Sequence, residues 1–360
     1  MTRVLNVGIV GCGGIANNKH FPAQKRLQEM GKVRMVAFCD LIPERAQKAC
    51  AQYGVEGAKV YTDYHDLIAR EDIDQVLVLT ENVGHAPISI AAMKAGKHVM
   101  CEKPMAKTYA DACEMLRVSK ETGMKLTIGY QSRFIKENLF AKLICDRGDL
   151  GEIYYAHSCY LRRRGVPTWG VFTDKEKQGG GPLIDIATHA LDRSLWMMNN
   201  YEPDRVLGVA FQKLNYANSA NSSGPWDPKE FNVEDSAFAF IKMKNGATIN
   251  LECSWALNIR EPKQTMEFYG TKAGLDFADG VWLNFDKDQT LHNDKLEPTK
   301  YNIPLCKGQD VWDRYLEAET FYDAIVNDTS PVVLPEQALV VSQILEGIYI
   351  SAETGKEFVF

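Results

Sequence analysis

Read for the spacing of its apolar positions, the chain divides in two. Up to residue 131, strand-like runs rich in apolar residues at 4–10, 33–39, 74–80, 97–101 and 125–130, with a shorter one near Val60, alternate with stretches of helical character at 43–53, 64–69, 86–95 and 109–121. A run of this kind suits a strand covered on both faces, and strands separated by such helical stretches imply βαβ units and a parallel sheet. Beyond Gln131 the rhythm changes. A predicted helix at 134–146 leads into an extended run at 153–160, and strands at 237–243 and 247–255 flank Lys244-Asn245-Gly246, where Asn-Gly predicts a type I′ hairpin turn. In the second of these strands Ile249, Leu251, Cys253 and Trp255 alternate with Thr248, Asn250, Glu252 and Ser254, which gives one core face and one wetter face. The pattern predicts an α/β chain with a parallel-sheet domain over 1–131 and an α+β domain with a mainly antiparallel sheet over 132–360. Apolar periodicity at 311–326 and 335–354 marks two packing helices, and the polar stretch 215–232 reads as a lid or a subunit contact.

Composition narrows the partner. A net charge of -6 with no long basic run argues against a nucleic-acid or anionic-membrane surface and favours a small neutral or modestly charged molecule. The first residues lack the regions of a signal peptide and no apolar run approaches a membrane span. Nine cysteines, an odd number without a CxxC pair, suit reduced thiols. A cytoplasmic protein is expected.

The first strand runs into Gly11-Cys12-Gly13-Gly14-Ile15-Ala16. Gly11, Gly13 and Ala16 fill the three places of the dinucleotide fingerprint: tight turn, close approach to a pyrophosphate, and close helix packing. Backbone N–H groups around Gly13, Gly14 and Ile15 would supply the anion site at the helix start. Following a strand and opening a helix, the motif makes the first half a Rossmann domain. Asp40 ends the second strand, where an acid accepts hydrogen bonds from ribose hydroxyls and repels a 2′-phosphate, so NAD is expected over NADP; Asp40 also suits a helix cap. Thr80, Asn82 and His85 follow the fourth strand toward the cofactor, though His85 equally suits a cap for the helix at 86–95. Lys103, in Glu102-Lys103-Pro104, follows the fifth strand and would sit at the crevice where ligands of open α/β sheets bind, with Pro104 restricting its backbone; a surface lysine beside a turn proline is the plainer alternative.

In the second half, Gly179-Gly180-Gly181-Pro182 announces a flexible approach to a helix on which Asp185 and His189, four apart, share a face. A solvated ion pair would look the same, and a metal site would need a third ligand such as His157; no metal is expected. A carboxylate beside an imidazole is what proton abstraction from an alcohol requires, and a lysine could polarise the same oxygen. Arg162, Arg164 and Trp169 lie between the extended run and the glycines, where they could bind sugar hydroxyls and stack on a ring, or form a solvated loop with a packing aromatic.

Gly8 to Ala16, Ala95-Gly96-Lys97-His98-Val99, Glu102-Lys103-Pro104 and the Asp185–His189 helix together resemble, in order and spacing, the Gfo/Idh/MocA family of NAD(P)-dependent oxidoreductases. The family includes inositol dehydrogenases and glucose-fructose oxidoreductase, and the likeness spans nearly the whole chain. It implies a Rossmann domain, a C-terminal domain with a large open sheet that binds substrate and mediates oligomerisation, a homodimer or homotetramer, and hydride transfer at a ring carbon of a sugar, glycoside or cyclitol. By this likeness Lys103 is the catalytic lysine with Asp185 and His189 as partners, Glu102 and Pro104 line the nicotinamide, and Arg133 with Phe134 begins the substrate side. Relatives often carry proline after the threonine of the fourth strand; here it is Glu81. An NAD-dependent glycosidase and a non-catalytic NAD-binding regulator are the rival classes, and the joint presence of Lys103, Asp185 and His189 speaks against the regulator.

Overall fold

The structure, a computed structural model, describes residues 3–216, 220–306 and 313–360. The chain forms two compact units, Met1–Phe134 with Val311–Leu339, and Ile135–Asp310 with Val340–Phe360.

The first unit is built on six strands, β1 (Leu5–Val10), β2 (Val33–Cys39), β3 (Lys59–Tyr61), β4 (Gln75–Val78), β5 (His98–Cys101) and β6 (Leu126–Ile128). All pairs are parallel and the order is β3-β2-β1-β4-β5-β6. That order reverses direction between β1 and β4, and ligands of such sheets bind outside the strand ends at this switch point. The apolar runs are buried on both faces as their patterning predicts. The helix Asp313–Val326 belongs to this unit: Tyr315, Ala318, Phe321, Tyr322 and Ile325 pack in one core with Leu5, Phe21, Leu27 and Phe38. Its packing face was legible, but the unit it joins was not, and a single cut after residue 131 does not register this return. The first two residues of that predicted helix, 311 and 312, lie outside the described residues.

The second unit carries a nine-stranded sheet of β7 (Ile153–Leu161), β8 (Pro203–Phe211), β9 (Ser236–Met243), β10 (Thr248–Ser254), β11 (Lys263–Gly270), β12 (Ala273–Asp276), β13 (Val281–Lys287), β14 (Thr290–Leu296) and β15 (Phe358–Val359). Its order is β14-β13-β12-β11-β7-β10-β9-β8-β15, and only the β7–β10 pair is parallel. One face packs on the helix Thr188–Met198, where Ser158 meets Ser194 at 2.6 Å, and on the helix Pro335–Thr354, where Ser351 Oγ accepts from the Gly208 N–H at 2.9 Å. The other face carries Leu207, Val209, Phe211 and Phe240, all exposed. The β9–β10 turn is not type I′. That turn needs positive φ at both central residues, whereas Gly246 (φ 91°) alone has it here; the Gly246 N–H closes on Met243 O at 2.9 Å, a type I turn followed by a glycine bulge. The stretch 215–232 is irregular, and its residues 217–219 lie outside the described residues. No helix among the described residues is long and apolar enough to cross a membrane.

Candidate active site

At the switch point of the first sheet the glycine turn has the shape its sequence requires. Gly11 adopts φ 98°, and a Cβ there would lie 2.5 Å from Leu79 O, so only glycine lets β1 turn against the end of β4. At Gly13 and Gly14 a Cβ would meet nothing within 4 Å. These two glycines leave room for something other than protein, which is what close approach of a pyrophosphate demands. The helix begins with a π-turn at Ala16–His20 before Phe21–Glu29 continues as α. Asp40 Oδ2 accepts from the Cys12 N–H at 2.8 Å and its Oδ1 from the Ile42 N–H at 2.9 Å. The carboxylate is thus braced between the glycine turn and the next helix, and each oxygen keeps acceptor capacity for a ribose hydroxyl. Ile42, not Asp40, occupies the N-cap position.

His85 is fully buried inside the helix Asn82–Lys94, which Glu81 rather than His85 precedes. Its Nδ1 lies 2.7 Å from Pro104 O and its Nε2 3.2 Å from Thr80 O, so it ties the end of β4 to the turn after β5. Burial lowers its pKa, which leaves it neutral, with Nδ1–H donating across the shorter contact.

Lys103 alone escapes burial between Val99 and Ala106. Its peptide bond to Pro104 is cis. Glu102 beside it faces the interior: Oε2 accepts from the Lys103 N–H at 3.1 Å, while Oε1 lies 2.7 Å from His20 Nε2 and accepts from Arg314 Nη1 at 3.1 Å. Arg314 also donates to Glu317 Oε2 at 3.0 Å. Burial alone would raise the Glu102 pKa, but Arg314, His20 and Lys103 outweigh it and hold this carboxyl far below its ordinary range. Burial instead pushes Glu317 up to about 8, so one carboxylate and one carboxylic acid flank a single guanidinium. Arg133 is fully buried as well, and its Nη1 donates to Gln337 at 2.6 Å.

In the second unit Gly180 and Gly181 are no flexible approach. A Cβ on Gly180 would overlap the Tyr349 hydroxyl, and one on Gly181 would overlap Glu234 O. The Glu234 carboxylate accepts from the N–H groups of Gly181 (2.9 Å) and Leu183 (3.1 Å) and from the Tyr349 hydroxyl (2.8 Å), which fixes the start of the site helix. That helix opens with a π-turn at Leu183–Ala187, and from Gly181 to Asp192 only Asp185 and His189 escape burial. Asp185 Oδ2 accepts from Trp255 Nε1 at 3.0 Å, and Trp255 is itself fully buried. His157 stands elsewhere: on β7 it alternates with Ser158, which faces the helix, and it contacts Glu252 (3.2 Å) and Glu267 (3.5 Å) on the opposite sheet face. It cannot supply the third ligand of a metal site with Asp185 and His189.

Trp169 is 60% exposed and packs edge-on to Phe172, which packs edge-on to Trp255. Arg162 donates to Gly165 O and lies over Tyr160, bracing its own loop, and Arg164 donates to Leu257 O and Asn258 Oδ1, tying that loop to the segment after β10. Sequence reasoning missed His20, Arg314, Glu234 and Tyr349, whose partners are remote in the chain and follow no local motif, and with them Glu317, one turn from Arg314.

A fingerprint turn with ligand room at a parallel-sheet switch point, joined in one chain to a sheet unit bearing an acid–imidazole helix, defines a pyridine-nucleotide oxidoreductase. Residues 5–130 match the oxidoreductase family with an NAD-binding Rossmann fold, and residues 139–276 match the Gfo/Idh/MocA C-terminal domain. The chain belongs to the Gfo/Idh/MocA family of NAD-binding oxidoreductases. It is 35% identical over 355 residues to D-glucoside 3-dehydrogenase of Escherichia coli (strain K12), covering 98% of this chain and 96% of that one. Inositol 2-dehydrogenase of Salmonella paratyphi B (strain ATCC BAA-1250 / SPB7) is 33% identical over 196 residues, 54% of this chain and 55% of the relative. The structure of levoglucosan dehydrogenase in complex with NADH and levoglucosan shares the fold, with a TM-score of 0.83 at 24% identity over 99% of both chains.

Proposed function

We propose that this protein oxidises a secondary hydroxyl on the ring of a sugar, glycoside or cyclitol, with NAD as the partner. The reading is carried by one observation: on an otherwise buried helix start, an aspartate and a histidine one turn apart are the side chains left open to a ligand. The backbone N–H groups of Gly13, Gly14 and Ile15 would hold the pyrophosphate, Gly11 making the turn with its own N–H on Cys39 O at 2.8 Å, and Asp40 would take the adenosine ribose. NAD supplies the hydride acceptor when bound. His189 accepts the hydroxyl proton, Asp185, held by Trp255, stabilises the imidazolium, and Lys103 donates to the carbinol oxygen as negative charge develops. Trp169 offers an exposed ring face to the apolar side of the substrate.

The test is NADH formation over a panel of aldoses, glycosides and cyclitols. Lys103→Ala should lower turnover by about 10²–10⁴-fold while NAD affinity holds; undiminished turnover removes Lys103 from the mechanism. Release of aglycone without net NADH would move the reading to a glycosidase. The nine cysteines are all unpaired, which fits a reducing cytoplasm. A homo-oligomer, dimer or tetramer, would join through the second sheet's exposed face, where Leu207 pairs with Phe240 and Val209 with Phe238. Phe240→Asp should then shift the mass measured by light scattering to that of a smaller species.

A further inference from the structure

The helix that carries Asp185 and His189 leaves a third side chain open. From Gly181 to Met197 the residues that escape burial are Asp185, His189 and Arg193, each four positions from the last. His189 and Arg193 both lie in the α-helical part, so they share a face about one turn apart, a step of about 6 Å along the axis. That step is on the scale of one sugar ring.

Arg193 differs from the arginines around it. Arg162 donates to Gly165 O of its own loop and Arg164 to Leu257 O of the segment that follows β10. No hydrogen bond or ion pair from any described residue reaches the Arg193 guanidinium, and its Nε is buried without a partner. Burial lowers its pKa while Asp192 and Tyr160 act to raise it, but a guanidinium stays charged at any working pH. A deeply set charge with unfilled donors is unfavourable, and an apolar side chain of similar volume would serve packing better. The arrangement makes sense where a ligand brings the missing acceptors.

We propose that Arg193 reads the substrate oxygens beside the reacting carbinol, its planar fork donating to neighbouring hydroxyl or ring oxygens and so fixing which ring carbon meets His189. This rests on the polyol reading above and deepens it: Arg193 is a substrate-binding residue that sets the position oxidised. Neighbouring oxygens on one ring suit a guanidinium, which can donate two parallel bonds, better than an ammonium.

The experiment compares the full-length wild type with Arg193→Met and Arg193→Lys on the best polyol of the panel and on its deoxy analogues at the positions flanking the oxidised carbon. Arg193→Met should lower kcat/KM on the parent compound by about ten- to a hundredfold, the worth of a hydrogen bond to a charged group. One deoxy analogue should cost the wild type a similar factor and the variant little more, and the variant should yield more than one keto product. The melting temperature should hold or rise, since a charge without bonds has been removed. Arg193→Lys should recover part of the rate. Parent kcat/KM within twofold of wild type, equal deoxy penalties in both proteins, or a melting temperature that falls along with activity in both variants would overturn the proposal. Should the wild type reduce NAD with no polyol, the dehydrogenase reading fails on its own. Calorimetric binding of the same polyols then decides the role of Arg193: weaker binding to Arg193→Met supports it, and equal or absent binding overturns it.

Discussion

Two glycine runs open two helices of this protein, and they are glycine for opposite reasons. In the first, Gly13 and Gly14 face open space and the backbone is bare so that a ligand can come close. In the second, Gly180 and Gly181 are pressed against Tyr349 and Glu234, and the backbone is bare because protein already fills the room. Both helices start with a π-turn, a feature frequent at functional sites, and neither carries a side-chain cap on its first residue. What satisfies the orphan N–H groups differs accordingly. The second helix has a buried carboxylate, Glu234, on Gly181 and Leu183. On the proposed reading, the first would leave its N–H groups to the pyrophosphate. The lesson is that a glycine run marks absence of a side chain, and only the neighbours tell whether ligand or protein benefits.

Alanine at each run should separate the two. Gly181→Ala drives a methyl into backbone that cannot rotate away, so a stability loss of about 3 kcal/mol or more is expected, read as a lower urea midpoint with NAD binding lost only through unfolding. Gly13→Ala should leave the urea midpoint where it is and weaken NAD by roughly ten- to a hundredfold, about 1.4–2.8 kcal/mol, measured by calorimetry. A destabilised Gly13→Ala, or a stable Gly181→Ala, would erase the distinction. Between these lies Gly180→Ala, whose clash is with a side-chain hydroxyl. Tyr349→Phe removes that hydroxyl and one hydrogen bond to Glu234, at a cost of about 1 kcal/mol. In the Tyr349→Phe background, Gly180→Ala should be milder than in the wild type, and additive losses would show that the close approach does not matter.

How much of this was legible in the sequence follows from range. The six parallel strands and the fingerprint turn are written in local patterning, so they could be read. Glu102 could be seen to flank Lys103, but its inward bond to Arg314, 212 positions away, could not. The glycines at 179–181 looked flexible because composition records freedom and not what occupies the space. Asn245-Gly246 gave the hairpin correctly, while its turn type depends on the φ of Lys244 and Asn245, which side-chain identity only biases. Alternation along β7 put His157 and Ser158 on opposite faces without saying which faced the helix. Arg193 stood in plain view at helical spacing from His189; its lack of partners is a property of the fold.

Two buried carboxylates, one in each unit, extend the contrast to pH. Glu102 is held by charges and Glu234 by neutral donors with burial raising its pKa, so the two respond to protons with opposite sign. Glu317, on the far side of Arg314, is raised by burial to about 8 from 4.5. For a carboxyl raised in the folded state the stabilisation is fully present below its unfolded value and disappears as pH climbs through the folded one. Glu102 contributes the reverse, present above 4.5 and lost only in acid. The buried His20 and His85 and the half-buried His98, all lowered from 6.5, also lose their contribution only as pH falls below that value. Between 6.5 and about 8 the histidines and Glu102 no longer change while Glu317 gives up its proton, and stability should decline as pH rises. Urea midpoints across that window should fall for the wild type and flatten in Glu317→Gln. A slope unchanged in Glu317→Gln would mean that Arg314 keeps both its carboxylates ionised.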